Sequence, residues 1–139
     1  MDSPTPQNAR QFAESAIAIT RNVTGIELDL SPASLGRVDE VILGFRGEGL
    51  TADAMGETLT LFGCYVGEVI LHNHGGAWQL ARDTAMRPHA PGDMLVLETP
   101  NKAVWNPLGK AFKLMQNGEE DSLSFFYSVV TSQLPSVGT

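Results

Sequence analysis

The sequence predicts an α+β domain in which about five helices, one of them long and central, pack with a small antiparallel sheet of three to four strands. Three observations carry this expectation. Apolar residues recur at three- and four-residue steps as far as Ile70 and again near the C-terminus, the spacing of helix faces. After Gly75-Gly76 the period shortens to that of strands. Those strands then follow one another with no helix between them, which favours an antiparallel meander over a parallel βαβ arrangement.

The first helix is expected over 6–24. Ser3 or Thr5 can cap it, Pro4 or Pro6 suits its first turn, and Gly25 suits its stop. Phe12, Ala16, Ile19 and Val23 are its expected inward face. Ile26 to Leu30 alternates apolar and acidic residues, as either an edge strand or an extended link would. Ser31-Pro32 opens a second helix running to Arg46, with Leu35, Val38, Ile42 and Phe45 facing inward.

Gly47 and Gly49 interrupt the chain, and Thr51 can cap the third helix, predicted over 52–72 with Met55, Leu59, Phe62, Val66 and Ile70 as its stripe. At ~1.5 Å per residue it would be about 30 Å long, enough to cross a small domain. Apolar residues fall on nearly every side of it, so it should be buried all round. Gly56, Gly63 and Gly67 lie near one face, where missing side chains would let another element approach.

Strands are expected over 77–81, 94–99 and 103–105, with Pro88, Pro91 and Gly92 in the first connection and a tight turn at Pro100-Asn101. Asn106-Pro107 starts a fourth helix, carrying Leu108, Phe112 and Met115 inward and closing at Asn117-Gly118. A fifth, capped by Asp121 or Asn117, presents Leu123, Phe126, Tyr127 and Val130. Residues 1–139 should form a single domain, frayed over 1–5 and 132–139.

Composition narrows the functions. Nine basic and 16 acidic residues give a formal net charge of −7, and the basic ones are scattered, so nucleic acid is a poor partner. An acidic surface instead favours basic protein partners. No apolar run reaches the ~20 residues of a membrane span, and MDSPTPQNAR does not read as a secretory or transit leader. The single cysteine, Cys64, cannot form an internal disulfide; a cytoplasmic setting is therefore expected. No cofactor motif is present, since the glycines at 44–49 and 75–76 lack the Lys-Ser/Thr of a phosphate loop.

Few residues are candidates for chemistry. Glu68, inside the most apolar helix, needs a partner: Lys110 or Lys113 would make it structural, whereas burial alone would make it an acid. His72-Asn73-His74 spells the name of a nuclease motif without its ββα setting. His72 and His74 are at most weak metal ligands with His89 or Asp93, since alternate residues on a helix point apart. Cys64 lies mid-helix, where an inert thiol is expected. Tyr65, Trp78 and Trp105 fit a core or the wall of a pocket. Lys110 and Lys113 read as a solvated helix face.

The stretch Gly63, Tyr65, Gly67, Glu68, followed by Gly75-Gly76 and Trp78, resembles a family of small bacterial α+β domains of unknown function that carry a Gly-x-Tyr-x-Gly-Glu helix and then Gly-Gly-x-Trp. The similarity continues through Asn106-Pro107 with Lys110 and Lys113, and through Asn117-Gly118 and Asp121-Ser122 to Phe126-Tyr127. It covers roughly the C-terminal two thirds of the chain and implies a fold more than a chemistry.

No catalytic motif is found. The expectation is a non-enzymatic binding or accessory module that recognises a protein partner, in particular a basic one, through an acidic surface. An immunity-like role that masks a basic toxin is one form of it. The alternative is a small-ligand-binding protein or hydrolase-type enzyme with a pocket near Glu68 and Trp78.

Overall fold

The computed structural model describes residues 3–135, so expectations for 1–2 and 136–139 fall outside the described residues. In chain order the elements are α1 (Ala9–Thr24), α2 (Ser34–Gly47), α3 (Gly56–His74), β1 (Ala77–Leu80), β2 (Leu95–Glu98), β3 (Val104–Trp105), α4 (Pro107–Asn117) and α5 (Leu123–Thr131). Short 3-10 turns at Ala81–Asp83 and Glu119–Asp121 complete them. The sheet is a three-stranded antiparallel meander, with Trp78 opposite Leu97 and Leu97 opposite Trp105. This is the expected α+β architecture with three strands.

The start signals lie close to the helix ends, although α1 begins at Ala9 rather than at 6 and neither Asn8 at the start of α1 nor Ala33 at the start of α2 makes a side-chain cap hydrogen bond. Thr5 and Asn8 exchange side-chain and backbone hydrogen bonds, Thr5 N–H to Asn8 Oδ1 at 2.7 Å and Asn8 N–H to Thr5 Oγ1 at 3.3 Å, with Pro6 between them. That turn leads into α1. Ser31 Oγ receives Ser34 N–H at 3.2 Å, and Asn106 Oδ1 receives Gly109 N–H at 2.9 Å. The fifth cap differs from expectation: Ser122 Oγ receives Phe125 N–H at 3.1 Å, because Asn117 and Asp121 are bound to each other.

α3 is the central element and packs on α1, α4 and α5. From Leu59 to Ile70 every residue except Thr60 and Glu68 is buried, which accounts for the apolar character on all its sides. It begins later and ends later than predicted, because residues 52–55 form a turn under Thr51 and the His72-Asn73-His74 segment stays helical. Residues 26–30 are a link rather than a strand, with Leu28 buried.

α1 buries a different face from the one expected. Ala9, Ala13, Ala16 and Thr20 point inward, whereas Ile19 is 39% and Val23 73% exposed. The small side chains let α1 lie close to α3, and that approach turns the larger residues outward. Among the described residues no helix is long and apolar enough to cross a membrane.

Candidate functional site

Two glycines of α3 determine what lies beside Glu68. A Cβ at Gly63 would meet the Leu108 Cα of α4 at 2.5 Å, and one at Gly67 would meet the Trp78 ring at 2.1 Å. Both positions therefore require glycine for the neighbouring element to seat. At Gly56 nothing lies within 4 Å, so that glycine has no such packing role. With its ring over Gly67, Trp78 reaches one residue along the helix, and its Nε1–H donates to Glu68 Oε2 at 2.7 Å.

Trp78 is thus the partner of Glu68, in place of the expected Lys110 or Lys113. Lys110 Nζ bonds Asp121 Oδ1 at 2.5 Å, and Asn117 Nδ2 donates to the other oxygen at 2.8 Å. The Lys110 bond, with Asn117 second, holds the Asp121 carboxyl below the usual carboxylate range.

The second oxygen of Glu68 is open. Among the described residues Oε1 makes no hydrogen bond, and no buried side-chain N or O atom lacks a partner, so Oε1 faces solvent. Glu68 lines a cleft with two adjoining lobes. One, about 260 Å³, is walled by Arg10, Leu30, Glu68, Leu71, His72 and Gly76. The other, about 90 Å³, is lined by Arg10, Ala13, Glu14, Ile17, Leu30 and Glu68. Arg10, Leu30 and Glu68 sit where the lobes meet.

Leu30 has φ 65°, a left-handed conformation that costs a non-glycine residue of order 1–3 kcal/mol. α3 holds it there at both backbone groups. The Tyr65 hydroxyl accepts Leu30 N–H at 2.9 Å, and Asn73 Nδ2 donates to Leu30 C=O at 2.9 Å. Tyr65 is fully buried, also bonds Ser34 Oγ at 2.6 Å, and has its pKa pushed up by burial. It shapes the cleft wall from behind rather than lining it. Gly76, with φ 120° and the Glu98 carbonyl 2.6 Å from where a Cβ would be, forms the opposite rim.

The remaining predicted residues disperse. His72 reaches the larger lobe, while His74 points to the other side, bonding the Tyr127 hydroxyl at 2.8 Å through Nε2 and the Pro135 carbonyl at 2.9 Å through Nδ1. Among the described residues no group of three or more His, Cys, Asp or Glu is placed to hold a metal ion. Trp105 donates Nε1–H to Thr99 Oγ1 at 3.1 Å and meets Phe126 edge-on at 6.2 Å, outside the cleft lining. Cys64 is buried, and burial, with Glu68 second, pushes its thiol up to about 12.

Arg10, Glu14, Leu30 and Asn73 are not among the site residues expected from the sequence. The i, i+4 pair Arg10–Glu14, 3.5 Å apart, was the only local signal available for any of them. The sequence carries no mark of a positive φ at a leucine.

A second surface lies between the last turns of α1 and the second half of α2. There Val23, Ile26, Val41 and Phe45 line an open apolar groove of about 350 Å³, with Glu40 and Glu48 also in its lining. Another hollow, about 340 Å³, lies against α4 near Leu108 and Phe112; Asp93 is its one charged lining residue.

No protein-family model, curated protein or solved structure matches this chain.

Proposed function

We propose that this domain is a non-enzymatic binding module that takes a basic, amphipathic segment of a protein partner in the groove between α1 and α2. The observation that carries the reading is the uncovered apolar face of α1 at Ile19 and Val23, beside a groove whose charged lining residues are the carboxylates Glu40 and Glu48. Apolar surface rimmed by polar groups is what protein contacts use. The net charge of −7 adds a field that attracts a basic chain. The partner's apolar side chains would cover Val23, Ile26, Val41 and Phe45 while its Lys or Arg residues meet the two glutamates.

Masking of a basic toxin is one form this recognition takes. A non-catalytic role is supported by the inert Cys64 and by the opposed directions of His72 and His74. A cytoplasmic setting is supported by the lone buried thiol. Kinship with the small bacterial domains carrying a Gly-x-Tyr-x-Gly-Glu helix belongs to the same proposal. It is supported by the packing roles of Gly63 and Gly67, by the Leu30 bond of Tyr65 and by the Trp78 bond of Glu68.

The test is fluorescence anisotropy with a labelled cationic amphipathic helical peptide and with its acidic counterpart. The cationic peptide should bind, weaken as salt rises, and lose about ten-fold in affinity to Glu40→Lys/Glu48→Lys or to Val23→Asp. Binding that ignores both variants would sink the groove as the site.

A further inference from the structure

The cleft between α1 and α3 is independent of that groove, and its chemistry is different. We propose that it is a small-molecule site for a ligand with an ammonium group and a short apolar body, the ammonium donating to Glu68 Oε1 and the apolar end entering the smaller lobe.

The carboxylate comes first. Trp78 consumes one lone-pair direction of Glu68 Oε2 and fixes the side chain, while Oε1 makes no hydrogen bond among the described residues and Glu68 lines both lobes. A fixed, half-satisfied carboxylate is a pre-oriented acceptor. Charge then selects the donor. Two carboxyl side chains, Glu14 and Glu68, line the lobes against one guanidinium, Arg10, which already leans on Glu14 at 3.5 Å. A cation therefore fits the junction better than an anion.

Shape selects the rest of the molecule. The apolar walls of the smaller lobe are Ala13, Ile17 and Leu30, and its volume of about 90 Å³ limits the apolar end to a few carbons. That is a short branched alkyl chain. The larger lobe, lined by His72 and Arg10, leaves space for a polar substituent on the ammonium-bearing carbon. A free alkylamine and an apolar amino acid share this chemistry, and only the second would use Arg10, through its carboxylate.

The wall is also built to persist. Leu30, which lines both lobes, is held in its left-handed conformation at its N–H by Tyr65 and at its C=O by Asn73. Backbone strain maintained by two side chains of the central helix keeps the junction open without a ligand.

The experiment is NMR titration of the whole protein with isobutylamine, leucine and isovalerate, following the Trp78 indole N–H and the amides of Ile17 and Leu30. Isobutylamine should shift these resonances in the millimolar range expected of so few atoms. Isovalerate should not. Glu68→Gln, which can still accept the Trp78 N–H, should weaken the amine about ten-fold, and Ile17→Trp, which fills the smaller lobe, should abolish the shifts. Tighter binding of leucine than of the amine, lost in Arg10→Ala, would identify the amino acid as the source; equal or weaker binding of leucine would identify the amine. Absence of shifts with both isobutylamine and leucine, equal binding of isovalerate, or an unchanged affinity in Glu68→Gln would overturn the proposal.

Discussion

Asp39 Oδ1 on α2 accepts the backbone N–H of Leu123, the first residue of α5, at 2.7 Å across 84 positions of sequence. Its other oxygen accepts Ser124 N–H at 3.2 Å and Ser124 Oγ–H at 2.9 Å. A carboxylate only 8% exposed is thereby placed at the positive end of a helix and accepts from two of that helix's otherwise unpaired N–H groups.

Removing that carboxylate should loosen α5. Asp39→Ala leaves the Leu123 N–H buried without an acceptor and should cost about 2–4 kcal/mol, from the hydrogen bonds and the charge–dipole attraction together. Asp39→Asn, which keeps an acceptor but not the charge, should cost about half as much. Urea unfolding of the two variants gives the answer, and a loss below ~0.5 kcal/mol in Asp39→Ala would show that Ser122 caps α5 unaided.

The seat of Trp78 predicts a conditional effect. Gly67→Ala puts a methyl 2.1 Å from the indole and should destabilise by about 1–3 kcal/mol while breaking the Glu68 bond. In a Trp78→Ala background the same change should be neutral or stabilising by about 1 kcal/mol, since alanine is the better helix former. A double-mutant cycle reads the coupling directly; additive effects would refute the contact.

Tyr65 and Cys64 predict alkaline weakness. Burial raises both pKa values above those of the unfolded chain, so the folded state holds its protons longer. Their contribution is whole below the unfolded values of ~8.5 and ~10 and is lost as pH rises through the folded ones, Cys64 reaching about 12. Stability should fall above pH ~8.5, and Cys64→Ala should flatten the onset of that fall. The native thiol should also resist aromatic disulfide reagents until urea is added.

Asp121 predicts the opposite limb. Lys110 and Asn117 depress its pKa, so its contribution is present above the unfolded value of ~3.9 and is lost as pH falls through the lower folded value. Lys110→Met should move the carboxyl back up, visible by NMR titration, and shift acid unfolding to higher pH. An unmoved Asp121 in that variant would mean that Asn117 alone holds it.

The legible parts of this fold are those written in local spacing. Thr5-Pro6, Ser31-Pro32 and Asn106-Pro107 place helix starts within a few residues, because a cap is completed by atoms three positions away. Gly75-Gly76 divides helix from sheet for the same reason. Glu68 was visible as the polar exception in an apolar helix, and Trp78 as an aromatic after a double glycine.

What joined those two residues was not local. The Glu68–Trp78 bond exists because Gly67 leaves room for an indole delivered by a strand, so Lys110 and Lys113, the partners expected from the sequence, are bypassed. Likewise the stripe of Phe12, Ala16, Ile19 and Val23 competes with that of Ala9, Ala13 and Ala16, and the choice belongs to α3, which accepts the close approach of the alanines. The chain by itself determined the order of elements, the Asn106 cap of α4 and the burial of α3, all consequences of short-range pattern. The tertiary structure alone decided which carboxylate caps α5, which leucine is held left-handed and which apolar face is left uncovered, since each depends on atoms brought together by close packing across the sequence.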